Sequence, residues 1–193
     1  MRYLYLFVVA MMLFSCKKDP LNAKSGQVVD LFVDHYATAG DQKLYVLPSR
    51  TPATTYLEGF DERELGYTYK IKAQMYIPKD PPQDGPDRWY KFVRVVSKDR
   101  YFGTEPFEIS LKNNSIFGSS LAVWIDNNII YYGDYVLTPQ NQSVKKQLED
   151  LVALRPRFQT DPEWANKLVL KAKVNHDPNN SAKGYLVSSI IVQ

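Results

Sequence analysis

Residues 28–36 alternate in polarity. Val29, Leu31, Val33 and His35 fall on one face, and Asp30, Phe32, Asp34 and Tyr36 on the other. A period of two marks a strand with one buried face. Gly40-Asp41 reads as a turn, and residues 43–47 as the returning strand. Residues 48–65 carry two prolines and a mixed pattern, which predicts a loop with room for one helical turn. The longest alternation spans residues 67–77, with Tyr67, Tyr69, Ile71, Ala73, Met75 and Ile77 on one face. Three prolines and a glycine rule out regular structure over residues 80–87, so the next strand, 89–97, should pair back as a hairpin.

In the second half, residues 107–112 read as a strand ended by Asn113-Asn114. Residues 121–125 and 129–136 flank Asp126-Asn127-Asn128, a polar turn suited to left-handed backbone, and should form a hairpin. The period changes once, at residues 141–154. There Val144, Leu148, Leu151 and Val152 form a helical stripe, with Lys145, Lys146, Glu149 and Asp150 opposite. Asn141 or Ser143 can cap this helix, and Pro156 is expected to stop it. The last strands are 168–174 and 185–192. The pattern therefore predicts a mainly β (α+β) chain of about eight strands. They should form antiparallel hairpins in a small sandwich or half-barrel, with one amphipathic helix packed on the sheet.

The halves echo each other. Ile71-Lys72-Ala73-Gln74-Met75, Asp80-Pro81 and a strand from Tyr90 are matched by Leu170-Lys171-Ala172-Lys173-Val174, Asp177-Pro178 and a strand from Tyr185. Two β-β-insert-β-β repeats would give this pattern, as would two unrelated hairpins. The expected division is a first β unit over 28–99 and a second, with the helix, over 100–193, either one domain or two.

Ahead of these units lies an apolar run of twelve residues, 3–14, after Arg2. A bilayer span takes about twenty residues, so a run this short reads as a signal segment over 1–15. Leu13-Phe14-Ser15-Cys16 resembles the lipobox of bacterial lipoproteins, although Phe14 stands where most carry a small residue. The resemblance implies cleavage before Cys16 and a lipid on its sulfur, which would hold the protein to the membrane. Residues 16–27 would be a flexible tether. Ser15-Cys16-Lys17-Lys18-Asp19 is similar to the start of lipoproteins of the Bacteroidetes group, in which an acidic cluster after the cysteine goes with surface display. Here one acid follows two lysines. The expected location is the outer membrane, facing the periplasm.

Cys16 is the chain's only cysteine, so no disulfide framework is available. Fourteen Tyr and nine Phe point instead to a strand-rich packed core. The formal charge is +3, or +2 without Arg2, and no basic block follows the tether; no nucleic-acid partner is expected.

A second resemblance covers residues 44–98. It rests on Tyr56-Leu57-Glu58-Gly59-Phe60, Gly66-Tyr67-Thr68-Tyr69, Pro81-Pro82-Gln83-Asp84-Gly85 and the strand ending Val96-Ser97-Lys98. Together these resemble the bacterial envelope domain known as domain of unknown function 4377. The resemblance implies location and fold and assigns no substrate and no catalytic residue.

Candidate chemistry is sparse. His35 and His176 read as unrelated, the first a hydrogen-bonded semi-core residue and the second a turn residue beside Asp177-Pro178. Asp34 and His35, as strand neighbours, point to opposite faces, so no metal site is expected. Asp80, Asp84 and Asp87 lack calcium-loop spacing and read as a solvated turn. Asp61, Glu62 and Glu64 could supply a carboxylate pair. No catalytic residue and no cofactor is assigned. Trp89, Tyr101, Trp124, Tyr131 and Trp164 are candidates for an exposed binding surface, because Tyr and Trp are enriched at interfaces. The expected function is a non-catalytic binding or interaction module, with an envelope protein or a glycan as partner. Two other classes stay open: a small-ligand or glycan-binding lipoprotein, and a carboxylate-dependent hydrolase.

Overall fold

A computed structural model describes residues 22–38, 41–83, 85–115 and 118–193. The signal segment, Cys16, most of the tether and Gly40 of the first turn lie outside the described residues. Half of the described residues are strand and 15% helix, arranged as a curled half-barrel with one bent helix packed against it. This is the mainly β architecture expected from the alternation.

The first six-stranded sheet contains β1 (Val28–Thr38), β2 (Asp41–Val46), β3 (Thr51–Pro52), β4 (Leu57–Glu58), β5 (Tyr67–Tyr76) and β6 (Trp89–Arg100), in the order β3-β2-β1-β5-β6-β4. Residues expected as loop thus supply two short edge strands. Only β4 and β6 run parallel. β6 carries two extra residues. Ala73 faces Phe92 while Lys72 faces Arg94, and Ile71 faces Val95 while Lys70 faces Ser97, so Val93 and Val96 have no opposite number. Such bulges bend a strand and strengthen its twist. The inner face buries Leu31, Val33, Val46, Ile71 and Ala73, with Leu57 and Phe60 from the 53–65 segment packed against them.

The second sheet contains β7 (Phe107–Ser110), β10 (Val123–Asp126), β11 (Ile129–Tyr132), β12 (Tyr135–Pro139), β13 (Leu170–His176) and β14 (Gly184–Val192), in the order β10-β11-β12-β14-β13-β7. β8 (Lys112–Ser115) and β9 (Gly118–Leu121) form a separate two-stranded sheet. Asn113 and Asn114 therefore do not end a strand; they sit within β8, opposite Ser120 and Ser119. Asn127 and Asn128 adopt φ of 48° and 64°, the left-handed pair of a two-residue hairpin turn. The strand expected over 129–136 is split by a second tight turn at Gly133, φ 57°.

Helix α1 (Gln142–Ala153) is capped by Asn141, whose side chain accepts the Val144 N–H at 3.0 Å. It buries Val144, Leu148 and Leu151 against the second sheet. Helix α1 stops at Ala153, just ahead of Pro156 as expected, but Pro156 does not end helical structure. It sits in the first turn of α2 (Arg155–Thr160), where its fixed φ suits a helix start. Asp161 then caps α3 (Pro162–Lys167) through the Trp164 N–H. Lys112 Nζ closes the other end of α3 with bonds of 2.7–3.1 Å to the carbonyls of Ala165, Asn166 and Leu168.

Each half has the same pairing scheme. The hairpin β5-β6 is flanked by antiparallel β1 and parallel β4, and β13-β14 by antiparallel β7 and parallel β12. Ile71, Ala73 and Met75 point inward in the first, as do Leu170, Ala172 and Val174 in the second. The sheets are tied by Tyr185. Its buried hydroxyl donates to the Ala37 carbonyl at 2.8 Å and accepts the Ala37 N–H at 2.9 Å, at the end of β1 where the pairing with β2 shifts register.

Candidate functional site

β1 alternates along its whole length, and its pairing with β2 shifts register between Val33 and Ala37. On the outer face this leaves Phe32 and Asp34 beside Tyr45 of β2 and Thr68 of β5. Together with His35, Tyr101 and Arg50 these residues line a concavity of about 400 Å3. Arg50 has φ 53°, uncommon for a non-glycine residue, and its guanidinium lies 4.5 Å from the centre of the Phe32 ring. Tyr101, just after β6, stacks flat on His35 with centroids 3.6 Å apart and planes 8° apart. Its position is set by two backbone bonds through Gly66: Tyr101 N–H to the Gly66 carbonyl and Gly66 N–H to the His35 carbonyl, both 2.8 Å.

Beneath this stack lies a contact that corrects the sequence reading. His35 and His176 are partners: Nδ1 of His35 and Nε2 of His176 are 2.8 Å apart. His176 is not a turn residue but the last residue of β13. Phe107 and Tyr36 pack around the pair. One ring must donate and the other accept, so at least one ring must be neutral, and two neutral rings need complementary tautomers. The environment favours that state. Burial lowers the His35 pKa, with Asp34 opposing and Arg63 reinforcing the shift. Burial, and then His35, lower His176 to about 4. Arg63 lies behind the pair and donates through Nη2 to the carbonyls of Asp34 and Tyr36 at 3.0 and 2.7 Å. Burial pushes the Tyr185 phenol well above its ordinary range.

The five aromatic candidates do not gather on one surface. Tyr101 belongs to the histidine stack. Trp89 packs with Tyr56 and Tyr76 at the other end of the β5-β6 hairpin. Trp124 and Tyr131 are register partners on β10 and β11, stacked at 4.3 Å. Trp164 lies on α3 against Phe158, with the Arg157 guanidinium 4.1 Å from its ring centre. Of the acidic candidates, Glu64 is engaged by Lys98 at 2.6 Å and Asp87 by Arg88 at 3.2 Å, while Asp84 lies outside the described residues. Among the described residues, no group of three or more His, Cys, Asp or Glu is placed to hold a metal ion.

His35, His176, Arg50, Arg63 and Tyr185 were not singled out together from the sequence. One signal was present. His35 continues the inward run Val29, Leu31, Val33, which Ala37 completes, and His176 falls in phase after Leu170, Ala172 and Val174, so each lies near the end of the buried face of its own strand. Chemically, the arrangement offers a rigid aromatic floor with a carboxylate and a guanidinium on its rim. In comparisons with protein-family models, curated proteins and solved structures, the chain matches none.

Proposed function

We propose that this protein is a non-catalytic binding module of the cell envelope, held by a lipid on Cys16 to the outer membrane and facing the periplasm. The leader and the Leu13-Phe14-Ser15-Cys16 junction support the anchor. The concavity between Arg50 and Tyr101 is the observation that carries the binding role. Its size falls within the range of about 300–1,000 Å3 typical of ligand sites, and its lining combines apolar rings with two convergent charged groups. The rings are already held, Tyr101 by its stack and Phe32 under Arg50, which lowers the ordering cost of binding. The same packing argues for binding over acid–base work, because His35 Nδ1 is committed to His176. The inferred partner is an envelope protein that presents a planar side chain flanked by an acid and a base, complementary to Arg50 and Asp34.

The test is site-specific photocrosslinking in living cells, with the probe at Tyr45 on the rim or at Lys146 on the outer side of α1. The Tyr45 probe should capture one discrete partner, and Arg50→Ala should abolish the capture. The Lys146 probe should capture nothing. Equal capture at both positions, or none at Tyr45 from protein present in the membrane fraction, refutes the reading. Cys16→Ala should remove labelling by a fatty-acid probe and release the protein from membranes; unchanged labelling refutes the anchor.

A further inference from the structure

We propose that the bond between His35 and His176 is a proton-operated latch, closed at neutral pH, that holds the Tyr101 wall of the concavity in place and releases it in acid. Its regulatory sense rests on the concavity being the binding site. The latch sits where the first sheet is least bound by its own ladder. Asp34, His35 and Tyr36 fall within the register shift between β1 and β2, and the pairing of β1 with β5 ends at Val33 and Tyr69. Neighbouring groups supply bonds to this segment instead. Arg63 Nη2 donates to the carbonyls of Asp34 and Tyr36, the Gly66 N–H to that of His35, and the His35 N–H to Asp34 Oδ1 at 2.8 Å. On one side Val33 is paired with Leu44 and Tyr69; on the other Ala37 is paired with Gln42 and clasped by Tyr185. A shift confined to the three residues between them leaves the rest of the strand paired.

His35 joins the concavity to the second sheet. Its ring lines the concavity, Tyr101 of the same lining stacks on it at 3.6 Å, and its Nδ1 is bonded to His176 at 2.8 Å. The groups facing the pair decide how many protons it can hold. Asp34 brings a carboxylate oxygen to 3.9 Å from His35 Nε2. Arg63 lies behind the pair, and its Nε and Nη1 are buried with no hydrogen-bond partner among the described residues. Tyr36 on β1, Tyr101 after β6 and Tyr185 on β14 present phenol rings, Phe107 on β7 presents nothing that titrates, and Tyr45 and Arg50 share the concavity. Asp177, next to His176, is bonded to Thr138 and to the Asn179 N–H instead. One proton can be held: a protonated His35 still donates to a neutral His176, with Asp34 beside it. A second proton leaves two donors face to face, two like charges in contact and the Arg63 guanidinium behind them. His176 Nδ1 is itself buried without a partner among the described residues, so no bond there steadies a charge on that ring. Burial and then His35 hold the His176 pKa at about 4, which puts the second proton in acid. With the bond gone, the His35 ring loses its anchor and Tyr101 its floor.

The experiment is fluorine NMR of the purified full-length protein in detergent, with 3-fluorotyrosine at the position of Tyr101 or, as a control on the second sheet, of Tyr131. The pH is lowered from about 7.5 to about 3.5. The Tyr101 resonance should hold one position near neutrality and give way to a solvent-exposed one, half replaced near pH 4. The Tyr131 resonance should stay in place over the same range. His176→Gln keeps an amide that accepts the His35 N–H but takes no proton, and it should hold the Tyr101 resonance at its neutral-pH position throughout. The latch is overturned if Tyr101 keeps its position down to about pH 3.5, if it moves only together with Tyr131, or if His176→Gln behaves like the parent. The parent titration decides the matter alone should that variant not fold. Crosslinking from Tyr45 at neutral pH reads the binding site by itself, so failure there falls on the binding reading and a flat fluorine titration falls on the latch.

Discussion

The two six-stranded sheets hide their apolar faces in different ways. The second is covered by an amphipathic helix whose Val144, Leu148 and Leu151 enter the core. The first is closed by the 53–65 segment, mostly irregular apart from the edge strand β4, which contributes Leu57 and Phe60. Phe60 packs edge-on to Tyr69 and flat on Phe92, at 5.1 and 4.7 Å. A helix spends its apolar stripe on the sheet and leaves its outer side charged. A loop can bury a few anchors and turn the residues between them to solvent. The stretch from Arg50 on does this: Arg50 lines the concavity beside Tyr101, and Thr51, Thr54 and Thr55 line a groove at the other end of the sheet. The irregular chain around the first sheet therefore also forms the walls of its clefts.

The largest effects should come from removing the cover residues. Phe60→Ala should cost about 3–5 kcal/mol and Leu148→Ala about 2–5 kcal/mol, measured by denaturant unfolding. Both should shift one common transition rather than one half alone; separate transitions would show that the sheets fold independently. Tyr185→Phe sharpens this comparison. It leaves the buried Ala37 N–H and carbonyl without their partner and should cost about 2–4 kcal/mol, with broadening of the single transition. An unchanged midpoint would remove the tie as a source of cooperativity.

The histidine pair gives a smaller, pH-dependent effect. Its folded pKa values are depressed, so the neutral rings stabilise the fold above the unfolded value of 6.5, and that stability is lost as pH falls from 6.5 towards about 4. With discount for partial solvent access, the loss from His176 should be on the order of 1–2 kcal/mol. His176→Gln should flatten the stability–pH curve over this interval; an equally steep curve would place the titration elsewhere. Smallest is the helix cap. Asn141→Ala should cost about 1 kcal/mol. That loss should appear in unfolding followed by circular dichroism, and an unchanged midpoint would deny the cap its role.

Much of this architecture was legible where one local signal dominates. The alternation of β5, the stripe of α1 and the asparagine pair at 127–128 each reflect a periodicity or backbone preference carried by neighbouring residues. The departures occur where the same residue type serves two contexts. Pro156 is as compatible with starting a helix as with stopping one. Gly133 permits a turn inside an apolar run that reads as one strand. Asn113 and Asn114 pair with serines across a hairpin that no hydrophobic pattern announces. The side-chain clusters were harder still. Trp89 stood out as an exposed aromatic, but its grouping with Tyr56 depends on the parallel pairing of β4 with β6. His35 and His176 are 141 positions apart, and only the meeting of the two sheets joins them.

The route by which the chain enters the fold has a mechanical consequence. Residues 22–27, which turn at 24–27 and bond to β5 through the Gly26 N–H and the Met75 carbonyl, lead into β1, which has β2 on one side and β5 on the other and is clasped at its far end by Tyr185. Tension applied through the N-terminal segment therefore loads an interior strand along its own axis. Its ladder bonds must slide in shear together instead of opening one by one. A pull on the N-terminal segment would load the ladder of the first sheet and reach the second through the Tyr185 phenol and the His35–His176 bond.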